Sequence, residues 1–175
     1  MKLRYLLFSI SFLILSCRKI LRCDKQEKFK MSQVEYIGTE LRMDGYYYSV
    51  SRFPIILYRN GVAIDARMSL SRTSFNELES RIVNKEFDKQ IEDDIYSWEL
   101  FQISNNSIST ESLSSLSAIS CKYLVNEYGQ IINDSTFILT SVYNQRDDKK
   151  NESTNDTFHF KRFAFKPDST NKFIN

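Results

Sequence analysis

The chain has 175 residues, with 24 Lys and Arg, 22 Asp and Glu, one His and three Cys. Lys2 and Arg4 lie in an N-terminal stretch that holds no acidic residue through Ser16, so removing that stretch brings basic and acidic residues to equal number. A balanced chain of this length suits one domain with a real core and gives no electrostatic ground for a nucleic-acid partner.

Lys2 and Arg4 precede an apolar run, Leu6 to Leu15, interrupted by Ser9 and Ser11. A membrane-spanning helix needs roughly 20 apolar residues, and this run is much shorter, as in the h-region of a secretory signal. Its end, Ile14-Leu15-Ser16-Cys17, resembles a bacterial lipobox, in which a small residue precedes a cysteine whose thiol accepts a diacylglyceryl group. That resemblance implies a signal peptide over 1–16 and a lipidated N-terminus at Cys17, held in a membrane by more than one acyl chain. Arg18 to Ser32 is rich in Lys, Arg and polar residues and reads as a tether over 17–32. Some bacterial surface lipoproteins carry acidic residues directly after the lipidated cysteine. Arg18 and Lys19 differ from that pattern, and the expected address is the outer membrane, facing the periplasm.

The remaining residues, 33–175, read as one domain of mainly β structure. Asp44-Gly45 opens an aromatic strand, Tyr46 to Val50. The stretch FPIILYRNGVAIDAR predicts a tight hairpin with Asn60-Gly61 in a type I′ turn. One amphipathic helix is expected over SFNELESRIVNKEFDKQIEDDI, opened by a Ser74–Glu77 capping box. Phe75, Leu78, Ile82, Phe87 and Ile91 are taken as its apolar stripe. Glu92-Asp93-Asp94 at its end reads as a solvated terminus. Further strands are expected at Ile95 to Ser104, Ser107 to Ser112, and Cys121 to Asn133 with a turn at Tyr128-Gly129. Phe137 to Tyr143 follows, then a polar loop from Gln145 to Asp156 and a last strand, Thr157 to Phe165. Within that strand, a bulge is expected between the Phe158/Phe160 and Phe163/Phe165 pairs. Eight or so strands and one helix give an antiparallel up-and-down β-barrel or a two-sheet sandwich.

Gly45-Tyr46-Tyr47, Trp98, Asn106-Ser107-Ile108, Gly129 to Phe137 and Phe158-His159-Phe160-Lys161 occur in an order that resembles the small lipocalin-like lipoproteins of bacterial envelopes. Lipocalins carry Gly-x-Trp in their first strand; here position 47 is Tyr and the single Trp is at 98. Arg162 is the candidate for the arginine that packs over that Trp. The resemblance implies a barrel holding a small apolar ligand or lipid, with Tyr47, Ile56, Trp98, Leu100 and Phe137 lining its interior. The alternative is a structural or interaction lipoprotein with a filled core and an envelope protein as partner.

Catalytic patterns point the other way, toward a protein that is not an enzyme. His159 lies mid-strand between two phenylalanines and reads as a structural strand residue. No CxxC, HxxxH, glycine-rich phosphate loop or dinucleotide fingerprint occurs, so neither metal nor cofactor is expected. Cys23 falls in the tether, which argues against its pairing with Cys121, although an oxidising envelope would allow it.

Overall fold

The computed structural model describes residues 27–67, 75–115, 121–145 and 151–174. Eight antiparallel strands close into a barrel in simple chain order. They are β1 (Gly45–Tyr48), β2 (Ile55–Leu57), β3 (Val62–Asp65), β4 (Trp98–Ser104), β5 (Ser107–Ser114), β6 (Tyr123–Asn133), β7 (Thr136–Asn144) and β8 (Asn151–Arg162). Pairing of Tyr47 with Phe160 joins β1 to β8 and removes the sheet edges. The barrel form is therefore correct and the sandwich is not.

Alternation along the strands divides two apolar clusters. Inward residues include Tyr47, Ile55, Leu57, Ala63, Phe101, Ile108, Phe137, Leu139 and Phe158. Phe137 stacks on Phe158 at 4.8 Å between ring centroids, and Tyr47 approaches Phe137 at 5.1 Å. Such ring pairs contribute about 0.5–1.5 kcal/mol beyond their buried area. The end of the barrel bearing the Asn60-Gly61, Asn105-Asn106 and Asp134-Ser135 turns is closed by residues 36–43. There Tyr36 N–H donates to Arg59 O, Arg42 N–H donates to Asp134 O, and Tyr36 and Leu41 join the inner core.

The second cluster lies on the outside of β1–β4. Tyr46, Ile56, Val62, Ile64, Trp98 and Leu100 pack there against Leu78, Ile82, Phe87, Ile91 and the C-terminal Ile174. Two short helices supply the cover, α1 (Phe75–Val83) and α2 (Glu86–Ile91), where the sequence suggested one. Leu78 and Phe87 are nine residues apart, about two and a half turns, so a continuous helix would point them to opposite sides. Lys85, at φ 57° and ψ 19°, breaks the helix and returns Phe87 and Ile91 to the barrel. Glu79 pins α1 to β1 and β8, accepting from Tyr46 Oη at 2.8 Å and pairing with Lys161 Nζ at 2.7 Å. Ser74 of the expected capping box lies outside the described residues.

Other local expectations shift. Asn60-Gly61 is not a type I′ turn, because only Gly61 has positive φ (80°). Gly61 N–H donates to Tyr58 O and Tyr58 N–H to Val62 O, giving a three-residue loop closed by a left-handed glycine. The two-residue loop with positive φ at both positions is Asn105-Asn106, at 50° and 61°. Tyr128-Gly129 is a register shift inside the long β6 rather than a turn. A Cβ on Gly129 would lie 2.1 Å from Ile138 O, so glycine lets the two backbones meet. Half of the expected polar loop is strand, since β8 begins at Asn151. Phe163 and Phe165 lie beyond the end of β8, so the strand's end, and no bulge between the two pairs, sets them apart from Phe158 and Phe160. Asp94 caps a short 3-10 turn, accepting from Tyr96 N–H and Ser97 Oγ, and Asp93 pairs with Lys172.

Residues 27–32, expected in the tether, lie against the barrel. Glu111 Oε1 accepts from the N–H groups of Lys30 and Met31 at 2.6 and 2.7 Å, and Gln102 Nε2 donates to Ser32 O. Glu111 is buried on the outer face of β5 and is satisfied by this strap together with Asn126. Cys121 carries a disulfide bond, contrary to the expectation drawn from Cys23's position; its partner lies outside the described residues.

Candidate functional site: a charged barrel mouth

Opposite the plugged end, inward positions change from apolar to charged. Ile55 pairs with Asp65 and Ala63 with Glu99, so both carboxylates occupy the inward face of their strands. Glu99 pairs with Ser112, and Thr110 with Glu127, carrying the polar surface across β4, β5 and β6. Arg52, from the β1–β2 connection, and Arg67, just past β3, complete the ring around a cavity of about 320 Å³.

The arginines are engaged. Arg52 donates from Nε to Asp156 Oδ2 and from Nη2 to Glu127 Oε1, each at 2.8 Å. Asp156 also accepts from Ser51 and, at 2.7 Å, from Thr154. Arg67 Nη2 donates to Asp65 Oδ2 at 2.8 Å and stands 3.7 Å from Glu99 Oε1. Three buried oxygens on the inward face of the wall have no hydrogen-bond partner among the described residues: Asp65 Oδ1 and Glu99 Oε2, whose residues line the cavity, and Thr110 Oγ1, whose residue lies outside its lining. Leaving a buried acceptor unpaired costs about 1–3 kcal/mol, and more when it is charged.

Protonation follows from this geometry. Burial, with Asp65 and Glu127 close by, pushes the Glu99 carboxyl up to about 8. Burial likewise raises Asp65 and Glu127 against the pull of Arg67 and Arg52. Burial pushes Asp156 upward too, but the hydrogen bonds from Ser51, Thr154 and Arg52 win and hold it below the usual carboxylate range.

The residues expected to line the interior separate into two sets. Tyr47 and Phe137 do face inward, in mutual contact at the plugged end, and Tyr47 Oη donates to Arg42 O and Asp134 O. Ile56, Trp98 and Leu100 face outward beneath the helices, and Trp98 Nε1 donates to Ile91 O at 2.9 Å. Arg162 does not pack over Trp98; its side chain is 79% exposed and pairs with Asp44. Arg42 instead sits 4.4 Å over the Phe160 ring. His159 is exposed on the outer face beside Tyr48. Cys17 lies outside the described residues. The sequence reading missed Arg52, Asp65, Arg67, Glu99 and Glu127.

Two larger grooves lie on the outer surface, one between α2 and the C-terminal segment (about 580 Å³) and one between residues 29–35 and the β2–β3 loop (about 800 Å³). Their flanking lysines, Lys89, Lys172 and Lys30, are exposed. The mouth is smaller, but of these three, and among the described residues, it is the one that gathers several buried carboxylates on strands of the barrel wall. Among the described residues no cluster of His, Cys, Asp and Glu is arranged to hold a metal ion, and no helix is long and apolar enough to cross a membrane. The chain matches no family model, no curated protein and no solved structure.

Proposed function

We propose that this chain is a lipid-anchored, lipocalin-like binding module of a bacterial envelope that holds a small ligand in the charged mouth of its barrel. The observation that carries this reading is the pair of buried, unpartnered carboxylate oxygens, Glu99 Oε2 and Asp65 Oδ1, beside a 320 Å³ cavity. That volume is at the small end of ligand sites, roughly 300–1,000 Å³, and eight-stranded barrels are wide enough to hold one small ligand. The apolar half of the interior is occupied by Tyr47, Phe101, Phe137 and Phe158, which moves the ligand from the apolar class to the polar one. Anchorage rests on the lipobox resemblance at Cys17, and the disulfide at Cys121 supports an oxidising compartment outside the cytosol.

The filled apolar half also favours a second reading, an interaction lipoprotein whose charged mouth is purely structural. Native mass spectrometry of the protein extracted from its own envelope separates the two. A co-purified small molecule that is lost on Glu99→Gln supports the binding module. A bare chain, or one isolated with a stoichiometric protein partner, supports the interaction protein. Membrane fractionation of Cys17→Ser tests the anchor, which predicts release into the soluble fraction.

A further inference from the structure

Resting on the binding-module reading, we propose that the mouth is a site for a small organic cation bearing N–H donors, a primary ammonium or guanidinium head. The three unpartnered oxygens of the barrel wall belong to adjacent strands, Asp65 on β3, Glu99 on β4 and Thr110 on β5, while two others, Asp88 Oδ1 and Gln90 Oε1, lie on α2. By register they descend into the barrel. Asp65 lies nearest the opening, Glu99 sits opposite Ser112 one step deeper, and Thr110 pairs with Phe101 at the start of the apolar core. Each can accept a hydrogen bond, the two carboxylates once ionised and the Thr110 hydroxyl in either case.

Charge selects the same class. Four carboxylates, Asp65, Glu99, Glu127 and Asp156, surround two guanidiniums, Arg52 and Arg67. Both arginines already direct Nε and Nη2 at carboxylates, so an anion would be left with their Nη1 groups in the midst of these carboxylates. A cation meets acceptors that nothing else uses. Glu99 is 2% exposed, so its charge is poorly screened by water and a partner there counts for more than at a surface. An N–H donor matters as well as charge, because a quaternary ammonium would neutralise Glu99 without satisfying an oxygen.

Isothermal titration of the full chain in detergent tests this with agmatine, which carries a guanidinium and a primary ammonium. Tetraethylammonium serves as the donorless cation and succinate as the anion. Agmatine is expected to bind one site, with tetraethylammonium and succinate at least tenfold weaker. Glu99→Gln and Asp65→Asn each weaken agmatine at least tenfold, with far-UV circular dichroism unchanged. Asp88→Asn, in the outer groove beside α2, leaves binding as it was. Succinate or tetraethylammonium binding at the mouth as well as agmatine does overturns the cation-donor class while leaving a binding module. Agmatine binding that is lost in Asp88→Asn but kept in Glu99→Gln overturns it too. If no probe binds and native mass spectrometry finds a bare chain, the binding module falls with it.

Discussion

Arg67 Nη2 lies 2.8 Å from Asp65 Oδ2 but 3.7 Å from Glu99 Oε1, so one guanidinium bonds one oxygen of the shallow carboxylate and leaves the deep one under-neutralised. Asp65, Glu127, Arg67 and Arg52 are the charged groups that bear on Glu99. Its proton is therefore held more tightly in the folded chain, with the carboxyl at about 8 against 4.5 ordinarily. For an acid raised in this way, stability is fully present below about pH 4.5 and is lost as pH climbs toward 8. Asp65 and Glu127, also raised, add to the same slope, whereas Asp156, lowered, loses its contribution only as pH falls into the acid range. Glu99→Gln should flatten the decline between pH 5 and 8 by on the order of 1 kcal/mol per unit. Urea unfolding at pH 5, 7 and 9 measures it, and an unchanged slope would place the Glu99 proton elsewhere.

Binding should respond to the same proton. A cation that pairs with Glu99 displaces it, so agmatine affinity is expected to rise from pH 6.5 to 8.5 and to level off above that. Titrations at pH 7 in buffers of different ionisation enthalpy should show release of up to one proton. Glu99→Gln should abolish both effects. A flat affinity profile in the parent chain would exclude Glu99 as the ligand's counter-charge.

The antiparallel β fold, as a barrel or a sandwich, was legible in the sequence because apolar, β-branched and aromatic runs bounded by turn residues mark most of the strands. The interior was not, and the reason is specific to β4. Trp98, Leu100 and Gln102 alternate with Glu99, Phe101 and Ile103, and either set offers apolar residues to a core. The large Trp suggests the inward face, yet the outer face of β1–β4 is equally dry beneath α1, α2 and the C-terminal segment. Two apolar faces leave parity undetermined until the cover is known. Asp65 and Glu99 carried the available signal, acidic residues in strands that are otherwise mostly apolar. Arg52 and Arg67 sit in connections, where no periodicity points to them.

Gly129 illustrates a turn signal that the tertiary structure uses differently. Its position between Tyr128 and Gln130 reads locally as a turn, while β6 continues through it and the register with β7 shifts there. Gly129→Ala would press a methyl against Ile138 O, 2.1 Å from the ideal Cβ, in backbone that cannot swing aside. A loss of about 1–3 kcal/mol, as for overpacking, is expected in chemical denaturation. Cation binding by the folded fraction should be unaffected, because Gly129 pairs with Ile108 toward the plugged end, away from Glu99.

Trp98 and Phe137 provide the sharpest separation between the outer and inner cores. Trp98 is fully buried outside the barrel, and its indole N–H holds the C-terminal carbonyl of α2 through Ile91 O. Trp98→Ala should cost about 3–5 kcal/mol and loosen α2. Trp98→Phe keeps most of the buried area and gives up the hydrogen bond, for about 1 kcal/mol. Phe137→Ala is also expected to cost about 3–5 kcal/mol, but it opens a void inside the barrel, between Tyr47 and Phe158. Under conditions where the variants remain folded, a small apolar probe such as benzene should stabilise Phe137→Ala and leave Trp98→Phe unmoved. The parent chain should not respond, because that half of its barrel is already filled. Stabilisation of the parent by benzene would restore an apolar ligand to the interior and count against the polar mouth as the working site.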